Sequence, residues 1–465
     1  VNQFYISAAH KSSGKTIVSI GVSRALVRRG LRVAPFKKGP DYIDPIWLSQ
    51  SSAHACWNLD FFTMDHQEIR ACFADHSLDS DVALVEGNKG LYDGLDVEGS
   101  DSNAALAKLL ALPVVLVIDV TGITRGIAPL LSGYAGFDPD INLVGVILNK
   151  VAGPRQESKL RAAVERYTDL PVIGAIGREP ALRISERHLG LVPGNEHAGA
   201  LQTVDEIANV IEQSVDLDRL LALTATTRQN NPVTPAQGSS TAVSRRPGTD
   251  RRVRIAIARD EAFGFYYPDD LAAFAKAGAE LVPFSTLVDG SLPKVDGLFI
   301  GGGFPECFIG NLSANATLRA EIKTFIEAGG PAYAECGGLM YLSRSLTWQG
   351  VSGEMVGILP GDTEVLPRPV GRGYMQIRVD ANHPWSRTRA QAGAVLNVHE
   401  FHHSRFNAAS NDWSSAFSVE RGHGLDGVRD GIHVHNLLAT YAHQRHVQEN
   451  LWVDAFVDFV RTHRP

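Results

Sequence analysis

The chain of 465 residues carries 44 Lys and Arg against 51 Asp and Glu, a formal charge of -7, and is 44% hydrophobic and 20% charged. That length fits about three domains or two large ones and excludes a disulfide-stapled miniprotein, while ordinary globular usage excludes wholesale disorder. The missing basic excess argues against a nucleic-acid partner, and the four cysteines (Cys56, Cys72, Cys307, Cys336) form no CxxC pair, which argues against a structural zinc site or a disulfide framework. No apolar run reaches about 18 residues, and a strand-like stretch follows Val1 where a signal peptide would stand. The expectation is a soluble cytoplasmic α/β protein with no membrane partner.

In chain order, short and almost wholly apolar runs at 4–8, 32–35, 82–85, 114–119, 143–148 and 171–176 alternate with amphipathic stretches of helical length. Such strands read as a parallel sheet covered on both faces. From 224 to 252 the chain turns rich in Pro, Ser, Thr and Asn and nearly devoid of large apolar residues, which reads as a flexible linker. A second alternation follows, with strands expected at 253–258, 298–300, 332–334, 395–398 and 438–440. The organisation expected is therefore a domain over 1–223, a linker over 224–252 and a second α/β domain over 253–465.

Three loops of the first half fall at carboxyl ends of strands, where ligands of open α/β sheets collect. The first is Ala9-His10-Lys11-Ser12-Ser13-Gly14-Lys15-Thr16, between a strand and a helix. Successive N–H groups of such a turn (Ser12, Ser13, Gly14) converge on phosphate oxygens, Lys15 reaches the β- and γ-phosphates, and the Thr16 hydroxyl suits Mg²⁺. Ala9 stands where the usual phosphate-loop pattern has its first glycine. The second loop, Phe36-Lys37-Lys38-Gly39-Pro40-Asp41-Tyr42-Ile43-Asp44-Pro45, mixes lysines and aspartates on a rigid turn, a composition suited to anionic groups held with a divalent cation. The third begins at Glu86 and continues Gly87-Asn88-Lys89-Gly90-Leu91-Tyr92-Asp93-Gly94. A carboxylate at that edge commonly helps hold Mg²⁺ near a nucleotide.

These segments, ISAAHKSSGKT, FKKGPDYIDP and VEGNKGLYDG, resemble those of the cobyrinate/hydrogenobyrinate a,c-diamide synthase family, and more distantly the domain is similar to dethiobiotin synthetase. The resemblance spans nearly the whole chain outside the linker. It implies a P-loop, dethiobiotin synthetase-like sheet domain that activates a carboxylate with ATP. It also implies that Lys15 and Thr16 serve ATP and Mg²⁺, that Asp41 and Glu86 are further metal ligands, and that Lys37 lies next to the reacting groups. Tyr42, Ile43 and Asp44 would position a tetrapyrrole side chain, and Asn149 would read the adenine ring. Lys38 and the pair Asn88-Lys89 depart from the family, which more often has small or apolar residues there. Both departures lie in loops expected to face substrate, where added positive charge suits a polycarboxylate.

In the second half, Ala332-Tyr333-Ala334-Glu335-Cys336-Gly337-Gly338 reads as strand, sharp turn and helix, which exposes a cysteine whose thiolate the helix N–H groups favour. Upstream, Gly301-Gly302-Gly303-Phe304-Pro305-Glu306 follows a strand, and the N–H groups of Gly302 and Gly303 suit an oxyanion. The order glycine loop, cysteine, then Thr440-Tyr441-Ala442-His443 resembles class I glutamine amidotransferase domains, which makes Cys336 the nucleophile and His443 its base. Typical members carry an acid two residues after the histidine; Arg445 stands there, so the orienting partner of His443 is unassigned. The segment Val398-His399-Glu400-Phe401-His402-His403-Ser404 matches a family signature and lacks the spacing of a zinc helix.

The reaction implied is ATP- and glutamine-dependent amidation of peripheral acetates on a cyclic tetrapyrrole through an acyl phosphate. Ammonia would be released from glutamine at Cys336 and delivered along a sheltered path. Sirohaem, or a related modified uroporphyrinoid, is the alternative substrate for the same chemistry. A P-loop ATPase switch with a degenerate glutaminase domain is the non-enzymatic alternative, and a homodimer is left open.

Overall fold

A computed structural model describes residues 1–182, 184, 186–187, 190–196, 199–225, 252–410 and 412–464. The chain divides into two compact units, Val1–Thr241 and Ala242–Pro465. The segment read as a linker lies, from 226 to 251, outside the described residues.

The first unit is built on seven strands: β1 (Asn2–Ala8), β2 (Val33–Lys38), β3 (Trp57–Leu59), β4 (Val82–Glu86), β5 (Val114–Asp119), β6 (Leu143–Val151) and β7 (Val172–Gly177). They lie in the order β3-β2-β4-β1-β5-β6-β7, and every neighbouring pair is parallel. Because the sheet is covered on both faces, the strands are apolar on both sides and their charged residues are confined to the ends, as at Lys37, Lys38 and Glu86. The phosphate loop follows β1 and leads into helix α1 (Lys15–Arg28), and helix α2 (Ile43–Ser52) follows β2.

Two later helices complete this unit, α3 (Ala200–Ser214) and α4 (Leu217–Thr224). α4 begins on Asp216, whose side chain accepts from the Arg219 N–H, and ends at the fully buried Thr224. Asn2 donates through Nδ2 to the Leu221 carbonyl (2.5 Å) and the Thr224 hydroxyl (3.2 Å), and Asn2 bridges Ala225 in antiparallel fashion. Helix α4 and the Ala225 bridge therefore reach two residues into the segment read from composition as linker.

The second unit is built on nine strands: β8 (Val253–Ala258), β9 (Ala279–Phe284), β10 (Gly297–Ile300), β11 (Ala332–Glu335), β12 (Gly371–Val379), β13 (Val395–His402), β14 (Ser414–Arg421), β15 (Arg429–Val434) and β16 (Leu437–Thr440). Their order is β9-β8-β10-β11-β16-β15-β14-β12-β13. The first five pair in parallel and the rest antiparallel. Side chains alternate between two cores: Leu298, Ile300, Ala332 and Ala334 join one, while Phe299 and Tyr333 join the other. Four of these strands, β9, β12, β14 and β15, were not expected from sequence, because each mixes polar residues, Pro or Gly into its apolar pattern. No helix among the described residues is long and apolar enough to cross a membrane.

α1 seats the phosphate loop by packing closely on α3. A Cβ on Gly21 would stand 2.3 Å from Ile211 Cγ1 and 3.0 Å from Ile207 Cγ2, so the contact requires glycine despite its low helix propensity. Gly21→Ala is expected to destabilise the protein by about 1–3 kcal/mol through overpacking, read as a lower denaturation midpoint.

Candidate active sites

In the first unit the backbone fixes the phosphate loop. Ser12 and Gly14 adopt positive φ (68° and 92°), a left-handed twist that turns successive N–H groups inward. Ala9 is not among the positive-φ residues, so alanine is tolerated where the usual pattern has glycine. The buried Ser13 anchors its hydroxyl on the His10 carbonyl (2.8 Å). Asn149 donates through Nδ2 to the Ser13 carbonyl (2.8 Å), and its Oδ1 accepts from the Lys150 N–H. A Cβ on Gly14 would lie 2.2 Å from that Asn149 nitrogen. Asn149 therefore braces the loop from beneath. Lys150, which sequence reasoning passed over, adds its Nζ to the Ser12 carbonyl (3.1 Å) and to Asp119 (2.7 Å).

At the carboxyl edge of β2 and β4, the buried Lys37 and Glu86 form one cluster with the half-buried Asp44 and Thr16. Lys37 Nζ lies 2.5 Å from Asp44 Oδ2, 2.9 Å from Glu86 Oε1 and 3.2 Å from the Gly87 carbonyl. The Thr16 hydroxyl reaches Glu86 Oε1 at 2.7 Å and Asp44 Oδ2 at 3.3 Å. Burial works against the Lys37 charge, yet Asp44, Glu86 and Asp41 outweigh it and hold its pKa well above the ordinary value. Burial raises the Glu86 carboxyl, with Lys37 pulling the other way. Burial, with Lys37 adding repulsion, brings Lys15 down to about 8, so an arriving phosphate supplies the countercharge that Lys15 lacks.

The sequence-derived roles redistribute in space. Asp44, expected to face substrate, turns into the cluster. Asp41, expected as a metal ligand, spends Oδ1 on the N–H groups of Ile43 (2.8 Å) and Asp44 (3.3 Å) at the start of α2, and its other oxygen stands 3.9 Å from Lys37. Ile43 is half-buried and packs against the main core of this unit, and Tyr42 is buried at the head of α2. Lys38 is 3% exposed and makes no ion pair among the described residues; burial lowers its pKa, which Asp101 and Asp60 partly offset. The donors present fit a hard cation: Glu86 Oε2 is buried with no hydrogen-bond partner among the described residues, while the Thr16 hydroxyl bridges Glu86 Oε1 and Asp44 Oδ2.

In the second unit, Cys336 sits between β11 and helix α5 (Gly337–Leu342) at φ 48°, ψ -100°, a backbone conformation that a β-carbon disfavours. The turn is over-determined. The Cys336 N–H donates to the Thr440 carbonyl (2.7 Å) and the Gly338 N–H to the Gly301 carbonyl (3.1 Å). A Cβ on Gly338 would stand 2.2 Å from the Ile300 carbonyl oxygen, and one on Gly337 3.0 Å from the Gly303 nitrogen. Gly302 and Gly303 pair in a short antiparallel ladder with Phe265 and Phe263, and a Cβ on Gly302 would lie 2.7 Å from His443 Cε1. The glycine loop, Cys336 and His443 thus meet, as their order in the chain led one to expect.

His443 is 3% exposed. Burial opposes its charge, but the neighbouring Cys336 sulfur and the Glu335 carboxyl push its pKa up to about 10. A buried imidazole that holds the proton given up by a neighbouring cysteine leaves that sulfur as the nucleophile and can pass the proton to a leaving amine. His399, Glu400 and His402 lie on strand β13, not on a helix, and no group of three or more His, Cys, Asp or Glu among the described residues could hold a metal ion.

Residues 6–192 match the family described as the CobQ/CobB/MinD/ParA nucleotide binding domain, and residues 254–451 match the CobB/CobQ-like glutamine amidotransferase domain. The cobyrinate a,c-diamide synthase of Magnetococcus marinus is 47% identical, over 95% of this chain and 94% of that protein. That of Methanosarcina acetivorans is 41% identical, over 94% and 91%. That of Archaeoglobus fulgidus is 39% identical, over 97% and 96%. With a nucleotide-binding unit and a glutamine amidotransferase unit in one chain, aligned with these relatives over nearly its whole length, the chain belongs to the cobyrinate a,c-diamide synthase family.

Proposed function

We propose that this enzyme amidates the a- and c-acetate carboxylates of a cobyrinate-type cyclic tetrapyrrole, using ATP to activate each acid and glutamine as the nitrogen donor. The observation that carries the reading is Cys336 on its strained turn with His443 at its sulfur, in a chain whose other unit is a nucleotide-binding sheet. The names of the relatives favour a corrinoid over sirohaem, and the Cys336–His443 pair disfavours a mere nucleotide switch. The reaction is assigned to the cytoplasm, and the net charge of -7 supports no nucleic-acid role.

A carboxylate is a poor electrophile, because attack on it must expel oxide. In the first unit a carboxylate oxygen attacks the γ-phosphorus of ATP, ADP departs, and the acid becomes an acyl phosphate. The N–H groups around Ser12, Ser13 and Gly14, together with Lys15, stabilise the charge on the transferred phosphoryl group. Lys37 supplies a second positive charge beside Thr16. Lys38, buried at the same strand end, is suited to a substrate carboxylate. Thr16, Glu86 and Asp44 would hold Mg²⁺, which when bound neutralises phosphate oxygens.

In the second unit the Cys336 sulfur attacks the glutamine amide carbon, with the N–H groups of Gly302 and Gly303 positioned for the oxyanion. His443 gives its proton to the departing ammonia. It then takes a proton from water, which hydrolyses the thioester to glutamate. Ammonia attacks the acyl phosphate carbon, and phosphate leaves.

Three measurements test this. Cys336→Ala should lose glutamine-dependent amidation by roughly 10²-fold or more while keeping ammonia-dependent amidation; retention of glutamine use would overturn the nucleophile. Lys15→Ala should lower amidation with either nitrogen source by roughly 10²–10³-fold. Glu86→Gln should raise the Mg²⁺ concentration for half-maximal rate by roughly 10–100-fold. In each case mass spectrometry of the tetrapyrrole counts the carboxyl groups converted to amides.

A further inference from the structure

Arg445, two residues beyond His443, carries no carboxyl with which to orient that histidine's ring. Its guanidinium pairs with Asp269 (2.7 and 3.1 Å) and lies over the Tyr267 ring, 5.3 Å from the centroid. The carboxyl that does stand at the imidazole comes from elsewhere in the chain. β11 pairs in parallel with β16, and the register sets Glu335 opposite Thr440, just before the chain reaches His443. Glu335 Oε2 lies 3.6 Å from His443 Nδ1, with both side chains 3% exposed.

Glu335 is itself held from two sides. Its Oε1 accepts from the Tyr333 hydroxyl (2.7 Å) and from the Gln444 N–H (2.9 Å). Gln444 returns Nε2 to the Tyr333 oxygen (2.9 Å), and Asn450 donates to Gln444 Oε1 (3.2 Å). With Oε1 doubly engaged, Oε2 is the oxygen left to face the imidazole. The other titratable groups nearby are committed differently. His399, its ring centroid 6.0 Å from that of His443, is kept neutral by burial, its pKa pushed down to about 3. Asp270 accepts from the His446 N–H (2.7 Å) and Trp452 Nε1 (3.2 Å), and burial raises its carboxyl well above the ordinary range.

We propose that Glu335, the residue immediately before the nucleophile, is the positioning residue for His443, replacing the acid that Arg445 displaces. It fixes the ring with Nδ1 protonated and Nε2 toward Cys336, and it stabilises the imidazolium that forms when the sulfur gives up its proton. Acid and nucleophile then share one strand–turn, so their spacing is set by adjacent backbone rather than by a loop.

The inference rests on the glutaminase reading above, and the experiment separates the two. Glu335→Gln keeps the shape and the Tyr333 contact. Its glutaminase kcat should fall between about 10²- and 10⁴-fold with the KM for glutamine little changed. Ammonia-dependent amidation, which bypasses the site, should be unaffected. The alkaline limb of the kcat profile reports loss of the His443 proton. Cys336 and Glu335 both favour the protonated ring, so removal of Glu335 should lower that limb from near 10 while Cys336 holds it above the ordinary imidazole value of about 6.5. Glu335→Asp should restore part of kcat and of the limb. If wild-type enzyme shows no glutaminase, both readings fall. If it does, and Glu335→Gln retains the wild-type kcat and alkaline limb, only this inference falls. Should Glu335→Gln also lose ammonia-dependent amidation through misfolding, Glu335→Asp carries the same test, and a wild-type kcat and limb there overturn it.

Discussion

The Lys37 ammonium, sealed at the end of β2 between Asp44 and Glu86, is the interaction on which the first unit depends. An isolated charge so deep in protein is penalised by several kcal/mol, and it persists only where opposite charges and hydrogen bonds surround it. Each member of the cluster holds the others. Lys37 keeps Asp44 ionised, Thr16 ties the phosphate loop to Glu86, and Asp41 ties the head of α2 back toward the same lysine. The parallel sheet makes this economical, because it brings the ends of β1, β2 and β4 to one edge while their apolar middles fill the core.

The second unit solves a related problem with strain in place of charge. Cys336 is held at positive φ by a carbonyl of β16 on one side and by glycines on the other. A β-carbon at Gly337 or Gly338 would press on the glycine loop or on β10, so the closeness that makes the site also restricts what can stand there. The imidazole of His443 enters that space against Gly302.

Much of this was legible in the sequence where one residue type serves one purpose. The strands of the first sheet are buried on both faces, so 82–85 and 114–119 stand out as continuous apolar runs, and the three loops at their carboxyl ends announce themselves by glycine and charge. The strands missed in the second unit carry weaker patterns: β12 alternates, β14 buries only Ala416 and Phe417 among polar neighbours, and β15 contains Gly431 at φ 72°. Side-chain direction was the harder matter. That Asp44 turns inward while Asp41 caps α2 depends on the angle at which the helix leaves its loop. Glu335 stood in plain view within ECGG, yet its nearness to His443 follows only from the register of β11 on β16.

The binding of Asn2 to the end of α4 has a topological consequence. Parallel strands gather all their carboxyl ends, and with them the nucleotide pocket, at one edge of the sheet. Since β1 starts at the opposite edge, Ala225 lies on the far side of the sheet, about 20 Å from the phosphate-binding turn for a strand of seven residues. A change at Asn2 or at the end of α4 is therefore felt first by the floor of the sheet, a full strand length away from the phosphate loop.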